Sequence, residues 1–155
     1  MRVYFDLCAL KRPFDRFSSE AVRMEALAIA ALVAAVQTGG VRLVGSGVLS
    51  VENRANPDAD RRAAADEVLR LASENVSFGP EAETRARALA AAGLSPPDAL
   101  HVAAAESARV DLFVTADRRL LRALSRPGTT RLAVADPIEA LCRVEATGGV
   151  REEEP

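Results

Sequence analysis

Short apolar segments alternate with helical segments along the whole of this 155-residue chain. The apolar segments are hydrophobic on both faces, which is typical of buried parallel strands. They span residues 2–5, 41–44, 75–78, 111–115 and 130–134. Parallel strands need a crossover connection between them, usually a helix. The alternation therefore predicts an α/β fold, a three-layer α/β/α sandwich around a short parallel sheet.

Residues that start and stop helices mark the segments between the strands. Asn56 and Pro57, for example, fit the N-cap and the first residue of a helix. The predicted helices cover 18–37, 46–55, 56–73, 79–93, 95–108, 117–125 and a last segment that begins at 136. We find no linker that divides the chain, so we expect one domain over residues 1–145 and a polar, disordered tail over 146–155.

Composition and charge narrow the class of protein further. Hydrophobic residues make up 49% and charged residues 27% of the chain, which is enough apolar surface for one core. The net charge of −2 gives no global positive field for nucleic acid. Cys8 and Cys142 match no metal-ligand spacing and are expected to be reduced thiols. We find no signal-peptide pattern, and the apolar run 26–36 is too short to span a bilayer. We therefore expect a cytoplasmic protein.

Four acidic residues are predicted to lie where ligands bind in such folds, outside the carboxyl ends of the strands. Asp6 follows the first strand, and Glu52 lies on the short helix after the second. Asp117 comes two residues after the fourth strand, and Asp98 begins the helix that leads into that strand. We call these four residues the acidic rim.

Each of these acids also has a purely structural explanation. Asp98 stands three residues after Ser95, as in a capping box, and Asp117 fits the N-cap of the next helix. Asp6 fits the cap of a turn, and Glu52 a solvated surface position. Asp136 is an equally good cap to which we assign no chemistry.

The coincidence of four acids on one edge favours a metal site. Two carboxylates about 4 Å apart repel each other by about 4 kcal/mol at an effective dielectric constant near 20. Such a cluster is costly unless protons or cations neutralise it. Oxygen-only ligands select hard cations such as Mg²⁺ or Mn²⁺, which activate water and stabilise the charge on a phosphodiester under attack.

The same segments resemble a known family. "YFDLCAL", the acid in "SVENRANPD", "PPDALHVAAAE" and "VDLFVTADRRLL" are similar to the PIN-domain ribonucleases, a group that includes VapC-type toxins. The resemblance extends to about residue 143. It implies cleavage of single-stranded RNA with Mg²⁺ or Mn²⁺, an antitoxin protein as partner, and a homodimer.

The resemblance also implies roles for individual residues. Asp6, Asp98 and Asp117 would be metal ligands, directly or through water, and Glu52 the fourth catalytic acid. Thr115 would support the Asp117 turn or a bound water. Asp111, in "VDLF", is expected to be structural.

Three arginines and one histidine lie close in sequence to the rim. Arg12, Arg54 and Arg118 are the candidates for contacts with an RNA backbone. His101 lies one helical turn after Asp98, and we expect it to be packed or hydrogen-bonded rather than a catalytic base.

Two other functions stay open. One is a PIN-like module that binds RNA or protein without cleaving it. The other is a nucleotide-binding domain, because Gly45 and Gly47 follow a strand and precede a helix, although Ser50 stands where the third glycine of the dinucleotide fingerprint belongs.

Overall fold

In the computed structural model, which describes residues 1–16 and 18–149, five parallel strands form one sheet in the order β3-β2-β1-β4-β5. The strands are β1 (Arg2–Phe5), β2 (Arg42–Ser46), β3 (Glu74–Val76), β4 (Leu112–Val114) and β5 (Val134–Ala135). Val3 of the central strand β1 pairs with Leu43 on one side and with Leu112 on the other. The carboxyl ends of the strands therefore lie along one edge of the sheet.

Helices cover the sheet on both faces. They are α1 (Leu7–Lys11), a 3₁₀ turn (Arg12–Phe14), α2 (Glu20–Gln37), α3 (Gly47–Arg54), α4 (Ala59–Leu69), α5 (Pro80–Ala91), α6 (Pro96–Ala108), α7 (Arg118–Leu124) and α8 (Pro137–Gly149). Helix α8 packs on α2 and contacts β4 and β5, whereas α6 packs on α5 and contacts β2 and β3. The predicted three-layer sandwich is confirmed.

The two central strands carry the most deeply buried side chains. Tyr4 and Phe5 of β1 and Phe113 of β4 are fully buried, and the rings of Tyr4 and Phe113 stack with their centroids 5.6 Å apart. Because helices exclude water from both faces, residues 3–5 and 112–114 are all hydrophobic instead of alternating with polar residues. The central strands are thus rigid supports for whatever follows their carboxyl ends.

Several boundaries differ from the sequence prediction. The N-cap of α4 is Asp58 and not Asn56, because the Asp58 carboxylate accepts hydrogen bonds from the backbone N–H groups of residues 60 and 61. The Asn56 side chain accepts from the N–H of Asp58 instead. Helix α1 and the 3₁₀ turn follow β1 where no helix was predicted.

The chain's end also differs. Helix α8 continues to Gly149, so residues 146–149 are helical, although they were predicted to be part of a disordered tail. The remainder of that predicted tail, residues 150–155, lies outside the described residues.

Candidate functional site

Asp6 comes directly after β1, and hydrogen bonds hold both its backbone and its carboxylate. Its backbone N–H donates to the carbonyl of Val114 at 3.0 Å, which continues the pairing of β1 with β4. Its carboxylate accepts from the hydroxyl of Thr115 at 2.5 Å, from the thiol of Cys8 at 2.9 Å and from the N–H of Ala9 at 3.0 Å. Burial raises the pKa of the Asp6 carboxyl, and these hydrogen bonds oppose the shift.

Thr115 connects Asp6 to Asp117. While its hydroxyl donates to Asp6, its oxygen accepts from the N–H of Asp117 at 3.0 Å. The Asp117 carboxylate caps α7, accepting from the N–H groups of Arg119 at 2.8 Å and Leu120 at 3.2 Å. One buried hydroxyl therefore joins the turns that carry two of the four acids.

Asp98 lies in the first turn of α6, where its N–H donates to the hydroxyl of the N-cap Ser95 at 3.3 Å. Burial raises the pKa of the Asp98 carboxyl, and the negative charges of Asp117 and Glu52 raise it further, whereas the hydrogen bond with Ser95 and the nearby His101 oppose the shift. His101, one turn after Asp98 on α6, contacts Glu52 on α3, so the fold brings Asp98 to the same edge of the sheet as Glu52.

Glu52 is held at the rim by His101. One carboxylate oxygen of Glu52 forms a hydrogen bond with Nε2 of His101, and this bond lowers the pKa of the Glu52 carboxyl. Nδ1 of His101 is 2.8 Å from the hydroxyl of Tyr4, which in turn is 2.8 Å from the hydroxyl of Ser46. His101 is 2% exposed and, as expected, hydrogen-bonded.

No arginine or lysine forms an ion pair with the acidic rim in the described part of the chain. Within residues 1–16 and 18–149, no ion pair involves Asp6, Asp98 or Asp117, and Glu52 pairs with His101. In the same part of the chain, no group of three or more His, Cys, Asp or Glu side chains is arranged so as to hold a metal ion. The rim is therefore an acidic cluster whose members are neighbours but do not converge on one point.

Arg12, one of the three arginines predicted to contact RNA, forms its contacts within the protein. Its guanidinium is 3.0 Å from Asp15 and 2.9 Å from the buried Glu25, and it donates to the carbonyl of Ala116 at 3.1 Å. These contacts leave the guanidinium of Arg12 poorly placed for RNA. They connect the 3₁₀ turn to α2 and to the loop before Asp117.

The other two arginines differ. Nε of Arg54 donates to the carbonyl of Ser50 within its own helix, at 3.3 Å. Arg118 is exposed at the start of α7 and lines a cavity of about 110 Å³ together with Thr115 and Asp136. Of the three, Arg118 is the best placed beside the rim.

Sequence reasoning missed the contact of Cys8 with Asp6. Burial and the charge of Asp6 raise the pKa of the Cys8 thiol, which keeps it protonated as a donor. Its position two residues after an N-cap acid was the available signal. Gly45 also has a local explanation, because a Cβ there would collide with the side-chain oxygen of Asn75.

The fold and the site define a class of protein: a parallel α/β/α sandwich with an acidic rim at the carboxyl edge of its sheet. A model of the PIN domain family matches residues 7–125. The chain belongs to the PIN domain family. Proteins of this family are in general nucleases.

Solved structures share the fold at low identity. VapBC2 from Rickettsia felis, bound to a DNA fragment from their promoter, has a TM-score of 0.56 and 9% identity over 88% of this chain and 98% of that one. FitAcB from Neisseria gonorrhoeae has a TM-score of 0.54 and 13% identity over 87% and 97%. PAE2754 from Pyrobaculum aerophilum has a TM-score of 0.54 and 20% identity over 94% and 99%.

A search of curated proteins finds no match. The helices of the described residues include none that is long and apolar enough to cross a membrane.

Proposed function

We propose that this protein is a metal-dependent endoribonuclease that hydrolyses phosphodiester bonds of single-stranded RNA at the acidic rim. One observation carries the proposal: in a PIN domain, Asp6, Asp98 and Asp117 lie at the carboxyl edge of the sheet and form no ion pair within residues 1–16 and 18–149. Acids that serve only the fold are normally paired with bases or well solvated. Here the chain keeps uncompensated charges together, which favours a cationic ligand.

The donor set fits Mg²⁺ or Mn²⁺. Asp6, Asp98 and Asp117 offer only carboxylate oxygens, which hard cations prefer. Without a cation these carboxylates repel one another, and the charge of a bound cation would offset that repulsion.

The residues of the rim would have distinct roles. Asp6, Asp98 and Asp117 would hold the metal, with Asp6 and Asp117 fixed relative to each other by Thr115. Glu52 would be the fourth acid, facing the water or the phosphodiester. The metal would supply a more acidic water and stabilise the charge that develops on the phosphate. Exposed arginines beside the rim, Arg118 above all, would contact the RNA backbone.

The substitution Asp98→Asn tests this proposal. We expect RNA cleavage with Mg²⁺ or Mn²⁺ to fall by about 100-fold or more, beyond the 10–100-fold typical of residues that only support a metal ligand. Asp136→Asn is the matched control, because Asp136 accepts a hydrogen bond from the N–H of Glu139 at 2.8 Å in the first turn of α8. Equal rates for Asp98→Asn and wild type on a mixed RNA panel would sink the mechanism.

The second candidate is a PIN module that binds RNA or protein without cleaving it. This alternative is favoured because, among the described residues, no three His, Cys, Asp or Glu side chains are arranged so as to hold a metal ion. Titration calorimetry with Mn²⁺ separates the two functions. The nuclease predicts one saturable site that Asp98→Asn weakens, whereas a scaffold predicts no such site and no loss of RNA or protein binding in that variant.

The biological setting that we propose is a toxin–antitoxin pair in the cytoplasm. The support is the likeness to the VapBC2 structure, and an antitoxin segment would cover the rim. We also propose a homodimer, because Met24 and Leu27 on α2 are 48% and 61% exposed. Co-purification with a small protein encoded beside this one tests the first, and the mass in solution tests the second.

A further inference from the structure

A line of four hydrogen-bonded side chains runs from the core to the rim. It begins at Ser46, passes through Tyr4 and His101, and ends at the carboxylate of Glu52. Ser46, Tyr4 and His101 are 2%, 0% and 2% exposed, whereas the side chain of Glu52 is 41% exposed. The line thus connects a half-exposed acid on a short helix to the rigid centre of the sheet.

The carboxylate of Glu52 sets the direction in which protons are donated, because an ionised carboxylate only accepts hydrogen bonds. At the other end of the line, the oxygen of Ser46 accepts from the N–H of Leu49 at 3.2 Å, and its own proton is available for the oxygen of Tyr4. The hydroxyl of Tyr4 then donates to Nδ1 of His101. A neutral imidazole that accepts at Nδ1 carries its proton on Nε2, which is the atom in contact with Glu52.

Glu52 needs such a partner if it is to stay at the rim. Its side chain is long and has many rotamers, so fixing it in one position is entropically unfavourable. The negative charges of the other acids at the rim also repel its carboxylate. A donor on Nε2 of a buried, immobile ring opposes both effects.

We propose that His101 is a positioning residue, which holds the carboxylate of Glu52 at the acidic rim and has its tautomer fixed by Tyr4 and Ser46. Its effect on catalysis rests on the proposed nuclease function. Both ring nitrogens are in contact with protein groups and the ring is buried. His101 therefore acts through Glu52 and does not touch the substrate.

Two amide variants separate positioning from simple filling of the core. The amide nitrogen of His101→Gln can reach the place of Nε2 and donate to Glu52. That of His101→Asn lies near the place of Nδ1, beside Tyr4. We expect His101→Gln to keep most of the wild-type kcat and His101→Asn to lose about tenfold in kcat with little change in KM, as for other supporting residues. Equal kcat values for the two variants would overturn the proposal.

The wild-type protein provides a test that needs neither a variant nor activity. His101 is the only histidine and Tyr4 the only tyrosine of the chain, so ¹⁵N spectra of the imidazole report one ring. At pH 8 we expect the proton on Nε2 and an acceptor at Nδ1. We expect Tyr4→Phe to give a mixture of tautomers. A wild-type ring protonated on Nδ1 would refute the assignment, whereas wild-type protein that cleaves no RNA would refute the nuclease function alone.

Discussion

Acidic residues at the two edges of the sheet differ in whether they have basic or backbone partners. At the amino edge, Glu74 pairs with the guanidinium of Arg2, Asp111 accepts from the backbone N–H of Arg2 at 2.7 Å, and Glu106 binds Arg85 through both oxygens. At the carboxyl edge, the acidic rim has no arginine or lysine ion-pair partner within the described residues. Compensation of charge, and not the number of acids, therefore distinguishes the carboxylates of the amino edge from those of the acidic rim.

The sharpest way to break this comparison is to remove one charge from the carboxyl edge while keeping the cap. Asn caps helices as well as Asp, so Asp117→Asn should change the free energy of unfolding by less than about 0.5 kcal/mol. We expect it to lower RNA cleavage by about 100-fold, because a proposed metal ligand loses its charge. Cleavage rates and thermal unfolding measure the two effects.

Asp58→Asn is the control for Asp117→Asn. Asp58 caps α4 by accepting from the N–H groups two and three residues later, the same pattern as at Asp117. It should leave both the cleavage rate and the stability unchanged. If both variants cleave RNA like wild type, Asp117 is only a cap.

At the amino edge the expected effect is on stability alone. Arg2→Met keeps the aliphatic stem but removes the bonds to Glu74 and to the carbonyl of Arg109. Because these groups are partly exposed, the loss should be about 1 kcal/mol, a fall in Tm of about 2–4 °C for a chain of this size. RNA cleavage at a temperature well below Tm should be unchanged, and a loss of cleavage would show that the two edges are coupled.

The smallest effect concerns pH. The folded state raises the pKa of Asp98, so the protonated form favours folding and the charged form costs stability. This cost begins as the pH rises above the ordinary carboxyl pKa of about 3.9 and is complete above the folded-state value. Asp98→Asn should therefore be slightly more stable than wild type at pH 7 and equal to it in acid. Denaturant unfolding at several pH values measures this difference.

Glu74→Gln at the amino edge is the counterpart. It breaks the pair with Arg2 and should lower stability at pH 7. If Asp98→Asn also lowers stability at pH 7, the carboxylate of Asp98 is compensated after all.

Local chemistry explains which features the sequence predicts well. Ser95 caps α6 and the alternation of elements is right because both depend on neighbours within a few residues. The predicted N-cap of α4 was wrong because Asn56 and Asp58 are both good caps. The hydrogen bond from the N–H of Asp58 to the side chain of Asn56 leaves Asp58 as the cap.

The contacts of Arg12 and Glu52 show what the sequence does not predict. Arg12 binds the carbonyl of Ala116, 104 positions away, and His101 reaches Glu52 across 49 positions. Such partners meet only when the helices pack on the sheet, and no local pattern encodes them. The acidic rim could be predicted because parallel strands end on one edge; its second layer of contacts could not.

The four acids of the rim are supported in two ways. The hydroxyl of Thr115 links Asp6 and Asp117, whereas Asp98 and Glu52 lie on helices. Asp6 and Asp117 share this one hydroxyl and follow adjacent central strands, so the gap between them is set by the stiffest part of the molecule. Asp98 lies on α6 and Glu52 on α3, and these two helices contact each other directly. The positions of these two acids therefore depend on how α3 and α6 pack, and substitutions at the interface of the two helices are the place to look for altered selectivity.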